Sequence, residues 1–214
     1  MRAITKRTEP RSLTTYRRTA GANYNNYRDK DDLRGSLHTE QNGLCCYCMA
    51  TIENGPRTMK IEHWKSQTRY PNEQLNYRNL LGACMGGEGS PEELHHCDTR
   101  KGDDDLKWNP ANPAHVIETR ISYEPDGSIH SQDPDFDSQL DRVLNLNLAS
   151  LKNRRKSVLD SVLYWWKHEK TRLKGPVPRD FIERERIRRS QSITPFCQVA
   201  VWWIDQRLAR MAKQ

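Results

Sequence analysis

A chain of 214 residues is long enough for one good core, or one compact module with a helical appendage, and short for two independent enzyme domains, so one catalytic site is expected. With 35% apolar and 29% charged residues and no run near the roughly 18 apolar residues that a membrane span needs, the sequence reads as soluble. The net charge of +7 is unevenly spread: residues 1–30 carry eight Lys/Arg against two acids, residues 31–150 eleven against twenty, and residues 151–190 thirteen against five. An acidic middle between basic flanks suits a carboxylate-bearing metal site with phosphate-gripping arms around it, although basic faces are also often plain solvated surface.

The basic N-terminus MRAITKRTEP has no apolar segment behind it and offers no secretory signal. A cytoplasmic location is therefore expected, and in a reducing compartment six cysteines point to metal ligands more than to disulfides. Residues 1–30 are polar, Arg-rich and aperiodic, which predicts an extended arm with little structure. From Lys30 to Gln41, Leu33, Leu37 and Gln41 fall at helical spacing with acids in the first turn, and Asn42-Gly43 supplies a stop signal that delivers the chain to Cys45. Asn54-Gly55-Pro56 marks a turn, and Thr58 to Ile61 a short strand ending on Glu62-His63. Residues 64–78 read as a loop, Asn79 to Cys84 as renewed order, and Met85 to Ser90 as a flexible tip. Val116 to Tyr123 is β-prone, and Asp126-Gly127 before Ser128-Ile129-His130 predicts an accessory hairpin. Asp133-Pro134-Asp135 opens a helical region in which Leu140, Leu144, Leu148, Leu151, Val158 and Val162 recur at three- and four-residue spacing; Gly175 to Pro178 breaks it, and a further helix or two carries Phe181 through Ala212.

Chemistry concentrates in the middle. A C-x-x-C turn, Cys45 to Cys48, lets two thiolates meet one ion without strain, and Cys84 with Cys97 completes a tetrahedral zinc set, leaving Cys46 and Cys197 over. Twelve residues separate Cys84 from Cys97, so His95 or His96 stands as an alternative fourth ligand. Between the halves of this staple lies Glu62-His63-Trp64. Phosphodiester hydrolysis needs a base for water and a divalent ion for the developing charge, and a neutral imidazole suits the first task. On an extended strand the neighbouring carboxylate points to the opposite face.

The order C-x-x-C, Glu-His, Asn-Leu-Leu-x-x-Cys, Cys-Asp-x-x-Lys over residues 44–108 resembles the zinc-containing HNH (ββα-metal) nuclease family. The resemblance implies His63 as general base and Glu62, where the family has Asp, as a ligand of catalytic Mg²⁺ or Mn²⁺. It implies Asn79 holding the His63 ring by a hydrogen bond, Asp98 as second metal ligand, with His95 or His96 as alternative, and Lys101 as a phosphate contact. The stretches around Ile61 to Trp64, Tyr77 to Cys84 and Asp98 to Asp103, with Leu144-Asn145-Leu146-Asn147, are similar to the HNH subunit of Septu-type and retron-associated anti-phage systems. That family works with an ABC/SMC-like ATPase, which the resemblance implies as partner beside DNA or RNA.

The expected fold is α+β: residues 1–30 a basic arm, 31–132 a zinc-stapled ββα-metal module with an accessory hairpin, and 133–214 a helical region for partner or nucleic-acid binding. Trp165-Trp166 and Trp202-Trp203 read as core first and interface second. Lys152, Arg154, Arg155, Lys156, Arg184, Arg186, Arg188 and Arg189 could grip nucleic acid or acidic patches on the ATPase. Two other functions stand beside the defence nuclease: a catalytically inactive zinc-finger-like binding module, and a homing or modification-dependent restriction enzyme acting alone.

Overall fold

The computed structural model describes residues 1–212 and shows an α+β fold. Helix α1 spans Arg11–Tyr16 and α2 spans Lys30–Glu40, with Asp31 and Asp32 in the first turn of α2, where carboxylates suit the positive end of the helix dipole. Leu33 and Leu37 share the buried face of α2. The helix stops where Asn42 and Gly43 both take positive φ, 53° and 68°. Just beyond it, Gln41 clamps a strand edge, donating to the Gly82 carbonyl at 2.7 Å and accepting from the Gly82 amide at 2.6 Å.

Strand β1, Lys60–His63, pairs antiparallel with β2, Leu80–Ala83, in the register Lys60 with Ala83 and His63 with Leu80. Alternation places Lys60 and Glu62 on one face of β1, and Ile61 and His63 on the other. A single helical turn, α3, Asp98–Lys101, follows. The accessory hairpin is shorter than expected, with β3 Ser122–Tyr123 and β4 Ile129–His130. Val116 adopts a left-handed φ of 44°, and residues 117–120 coil into a 3-10 turn in place of the expected strand.

Asp133 caps α4, Pro134–Ser138, by accepting from the amides of Asp135 and Phe136. The chain then passes through a π-turn over 139–143 into the Leu-Asn-Leu-Asn segment, which works as a knot. Leu144 accepts from the Cys97 amide, Asn145 donates to the Glu93 and His95 carbonyls, and Asn147 exchanges two hydrogen bonds with the backbone of Ile129. Helices α5 (Ala149–Leu173), α6 (Arg179–Gln191) and α7 (Cys197–Met211) complete the chain, α7 packing on both others. The four tryptophans of α5 and α7 are partly buried against the core, Trp166 meeting Trp203 edge-on at 5.6 Å. No helix among the described residues is long and apolar enough to cross a membrane.

Residues 1–30 differ from the arm expected of them. Met1, Ile4, Leu13 and Tyr27 belong to the main core cluster, which runs from Met1 to Ile204. Lys6 forms a buried ion pair with Glu40 at 2.8 Å, donates to the Leu80 carbonyl and lies 3.8 Å over the Tyr77 ring. Polar composition concealed a segment held by individual anchors, each satisfied by tertiary partners.

Candidate metal centre and active site

Four sulfurs meet at the junction of α2, β2 and α3. Cys45 and Cys48 sit on the turn after α2, Cys84 directly follows β2, and Cys97, at φ 55°, directly precedes α3. All four sulfurs lie within 4.8 Å of one another, with Cys45–Cys97 and Cys48–Cys84 each at 3.8 Å. A tetrahedral ion with Zn–S bonds of about 2.3 Å places its sulfurs about 3.8 Å apart, so these cysteines can hold a metal ion such as zinc. His96 approaches only Cys84, Nε2 to Sγ 3.9 Å, and His95 turns to the Ser90 carbonyl; Cys97 is the fourth member of the cluster. Cys46 and Cys197 stand outside it. Burial works against the Cys45 thiolate, but hydrogen bonds from the neighbouring Cys46 and then from Cys48, Cys84 and Cys97 overcome it and hold Cys45 well below its ordinary value. Burial and the same neighbours push Cys97 up. Sulfurs this close share little negative charge unless a cation joins them.

On the face of β1 toward α3, Asp98 lies near enough to Glu62 to act on its carboxyl. Burial first, then the hydrogen bond and charge of Asp98, hold the Glu62 carboxyl well above the usual carboxylate range; Lys101 and Tyr47 oppose the shift. Two neighbouring carboxylates offer the hard oxygen donors that suit a divalent cation. Asp98 also receives Lys60, Nζ to Oδ2 3.7 Å.

Lys101 is not at a phosphate-facing surface. It is 2% exposed, with Nζ 3.0 Å from Glu62 Oε1 and 3.1 Å from the His63 carbonyl. Because α3 is a single turn lying against β1, the side chain at its end folds inward onto the strand. Lys101→Met should therefore lower stability by about 3 kcal/mol, the scale for orphaning one member of a buried ion pair; urea titration of the two proteins measures it.

His63 occupies the opposite face of the strand end. Its Nε2 lies 3.1 Å from the Gln74 carbonyl, which only accepts, so the proton sits on Nε2 and Nδ1 carries the free lone pair. Burial lowers its pKa, against the raising effects of the Gln74 carbonyl and Asp98, and the ring is neutral at physiological pH. Tyr24 meets the ring edge-on at 4.4 Å, and Gln74 Oε1 accepts from the Tyr24 amide at 3.0 Å. Lys30 lies 4.6 Å from the centre of the Tyr24 ring. Tyr24, Gln74 and Tyr47 were not evident from the sequence. The N-terminal segment looked unstructured, Gln74 acts through its backbone, and Tyr47 was hidden inside the cysteine turn.

Asn79 does not bond the His63 ring. Its Oδ1 accepts from the Lys65 amide at 2.8 Å, and Nδ2 donates to the carbonyls of Lys65 at 2.9 Å and Glu73 at 3.1 Å. It clamps the 64–79 loop at Glu73, and the next residue, Gln74, holds the imidazole, so its hold on His63 is indirect. Asn79→Ala should cost about 2–3 kcal/mol, since it leaves buried backbone groups unpaired, and should expose the loop between Lys65 and Glu73 to limited proteolysis.

Most of the basic residues nominated in the C-terminal flank are paired with acids. Lys152 pairs with Asp126, Lys156 with Asp160, Arg184 with Asp180, Arg186 with Asp205, and Arg188 and Arg189 with Glu185. Arg155 points inward, its guanidinium on the carbonyls of Gly127 and Leu146. Of the eight basic residues nominated there, Arg154 alone has neither an acidic partner nor burial among the described residues.

No family model matches the sequence. Over 88 residues the chain is 30% identical to the Septu protein PtuB of Bacillus thuringiensis, a match spanning 41% of this chain and 30% of that protein. The chain thus covers under a third of its relative's length, and the likeness relates part of it to a Septu protein.

Proposed function

We propose that this chain is a metal-dependent HNH endonuclease and the effector of an anti-phage defence complex, acting with an ABC/SMC-like ATPase on DNA or RNA. The observation that carries this reading is that one strand end bears a neutral His63 with its basic Nδ1 free on one face and the Glu62 carboxyl, with Asp98 near it, on the other. Residues 31–132 would form the nuclease module and 133–214 the face for partner or nucleic acid.

His63 Nδ1 would take the proton from the attacking water, with Gln74 fixing the tautomer and the Asp98 charge supporting the imidazolium that forms. Glu62 and Asp98 would hold Mg²⁺ or Mn²⁺, which supplies charge stabilisation at the phosphoryl centre and the leaving oxygen. Asn79 would keep the Gln74 loop in place. A zinc ion on Cys45, Cys48, Cys84 and Cys97 would tie β2 and α3 together, fixing the spacing of Glu62 and Asp98.

One observation favours a second reading, an inactive zinc-finger-like binding module. Glu62 Oε1 is already satisfied inside the protein by Tyr47 and Lys101, and such a carboxylate needs no metal for its stability. Purified protein incubated with plasmid DNA and total RNA in Mg²⁺ or Mn²⁺, with and without an ABC/SMC-like ATPase, separates the two. Metal-dependent scission supports the nuclease. Binding without scission under every condition rejects it for the binding module.

A further inference from the structure

The two oxygens of Glu62 are in different surroundings. Oε1 accepts a hydrogen bond from the Tyr47 hydroxyl at 2.6 Å and is ion-paired with Lys101 Nζ at 3.0 Å, so two groups of the protein already hold this one oxygen. Neither donor can drift. Tyr47 is fully buried within the turn that carries Cys45 and Cys48, and Lys101 is fixed by further bonds to the carbonyls of His63 and Gly102. Oε2 has neither of these partners.

We propose that Tyr47 and Lys101 are positioning residues that restrict Glu62 to one-oxygen ligation, so that the site selects a small six-coordinate dication over Ca²⁺. The inference rests on the metal site proposed above. Ca²⁺ takes six to eight oxygens at long range and commonly draws both oxygens of a carboxylate, whereas Mg²⁺ and Mn²⁺ accept single oxygens and keep several waters. A carboxylate with one oxygen locked between a phenol and an ammonium cannot turn to chelate. The restraint costs Mn²⁺ little and Ca²⁺ more. Tyr47 also links the sites: its backbone belongs to the cysteine turn and its hydroxyl to the carboxylate, so the staple sets the orientation of Glu62.

The test is calorimetric titration of zinc-loaded protein with Mn²⁺ and with Ca²⁺, read as the ratio of the two affinities. Tyr47→Phe removes one donor from Oε1 without changing charge or shape, and the ratio should fall about tenfold toward Ca²⁺, the low end of what outer partners of metal ligands contribute. General loosening of the site would weaken both ions alike and leave the ratio unmoved. An unchanged ratio in Tyr47→Phe, with Mn²⁺ binding still lost in Glu62→Gln, overturns the positioning role and spares the metal site. Wild-type protein that binds no Mn²⁺ beyond its zinc overturns both. Lys101→Met is the companion variant; should it fail to fold, Tyr47→Phe decides alone.

Discussion

Replacing Cys97 with serine is expected to strip the protein of its tightly bound metal and of cooperative folding together. Cys45, Cys46, Cys48 and Cys97 all belong to the main core cluster, so their sulfurs stand where a domain of this size would otherwise place apolar side chains. Structural zinc contributes about 10–16 kcal/mol in small zinc-binding peptides, against a net stability of about 5–15 kcal/mol for a whole domain. Even a fraction of the first figure is comparable with the second. Metal analysis should find one zinc per wild-type chain and almost none in Cys97→Ser, with the thermal transition broadened and lowered by tens of degrees. Chelation should reproduce the effect. Cys46→Ser is the control, since Cys46 lies outside the sulfur cluster, and it should keep its zinc. A Cys97→Ser protein that retains stoichiometric zinc and its transition would show that His96, 3.9 Å from Cys84, replaces the missing sulfur.

How much of this was legible in the sequence follows from how local each constraint is. A C-x-x-C turn, a capped amphipathic helix and a strand ending on Glu-His are written within a few residues, and Lys30–Glu40, Lys60–His63 and the cysteine cluster stand where short-range chemistry puts them. Distant partners were not readable. Met1, Ile4, Leu13 and Tyr27 are buried one at a time, without a period, so no pattern separates their segment from a loose arm. The basic run of α6 looked like a phosphate grip, but Asp180, Glu183 and Glu185 answer it from within one helical turn of its arginines, and Asp205 of α7 takes Arg186. Charge counting registered the sum and missed the pairing. Lys101 shows the same limit, because spacing gives its place on α3 and only the short approach to β1 turns it inward onto Glu62. Asn79 was found as a residue, and its partners were not: one clamp on Lys65 and Glu73 requires the whole 64–79 loop to close.

His63→Ala should lower kcat on nucleic acid by about 10²–10⁴-fold, the range for removing a positioned general base, while KM, zinc content and Mn²⁺ affinity stay near wild type. The separation follows from the geometry. The carboxylates proposed to hold the cation lie on the Lys60–Glu62 face of β1 and on α3, whereas the imidazole lies on the other face, held by Gln74 and Tyr24. Deleting the ring therefore leaves the donors for the cation untouched. It also leaves a slot under Tyr24, and added imidazole should enter it and restore part of the rate in a saturable manner. Glu62→Gln should behave oppositely, with Mn²⁺ binding lost and activity not restored by imidazole. Single-turnover cleavage at saturating Mn²⁺, measured for both variants beside the wild type, distinguishes the roles. A zinc-replete His63→Ala protein that cleaves at the wild-type rate would remove His63 from the chemistry and leave proton transfer from water to some other group.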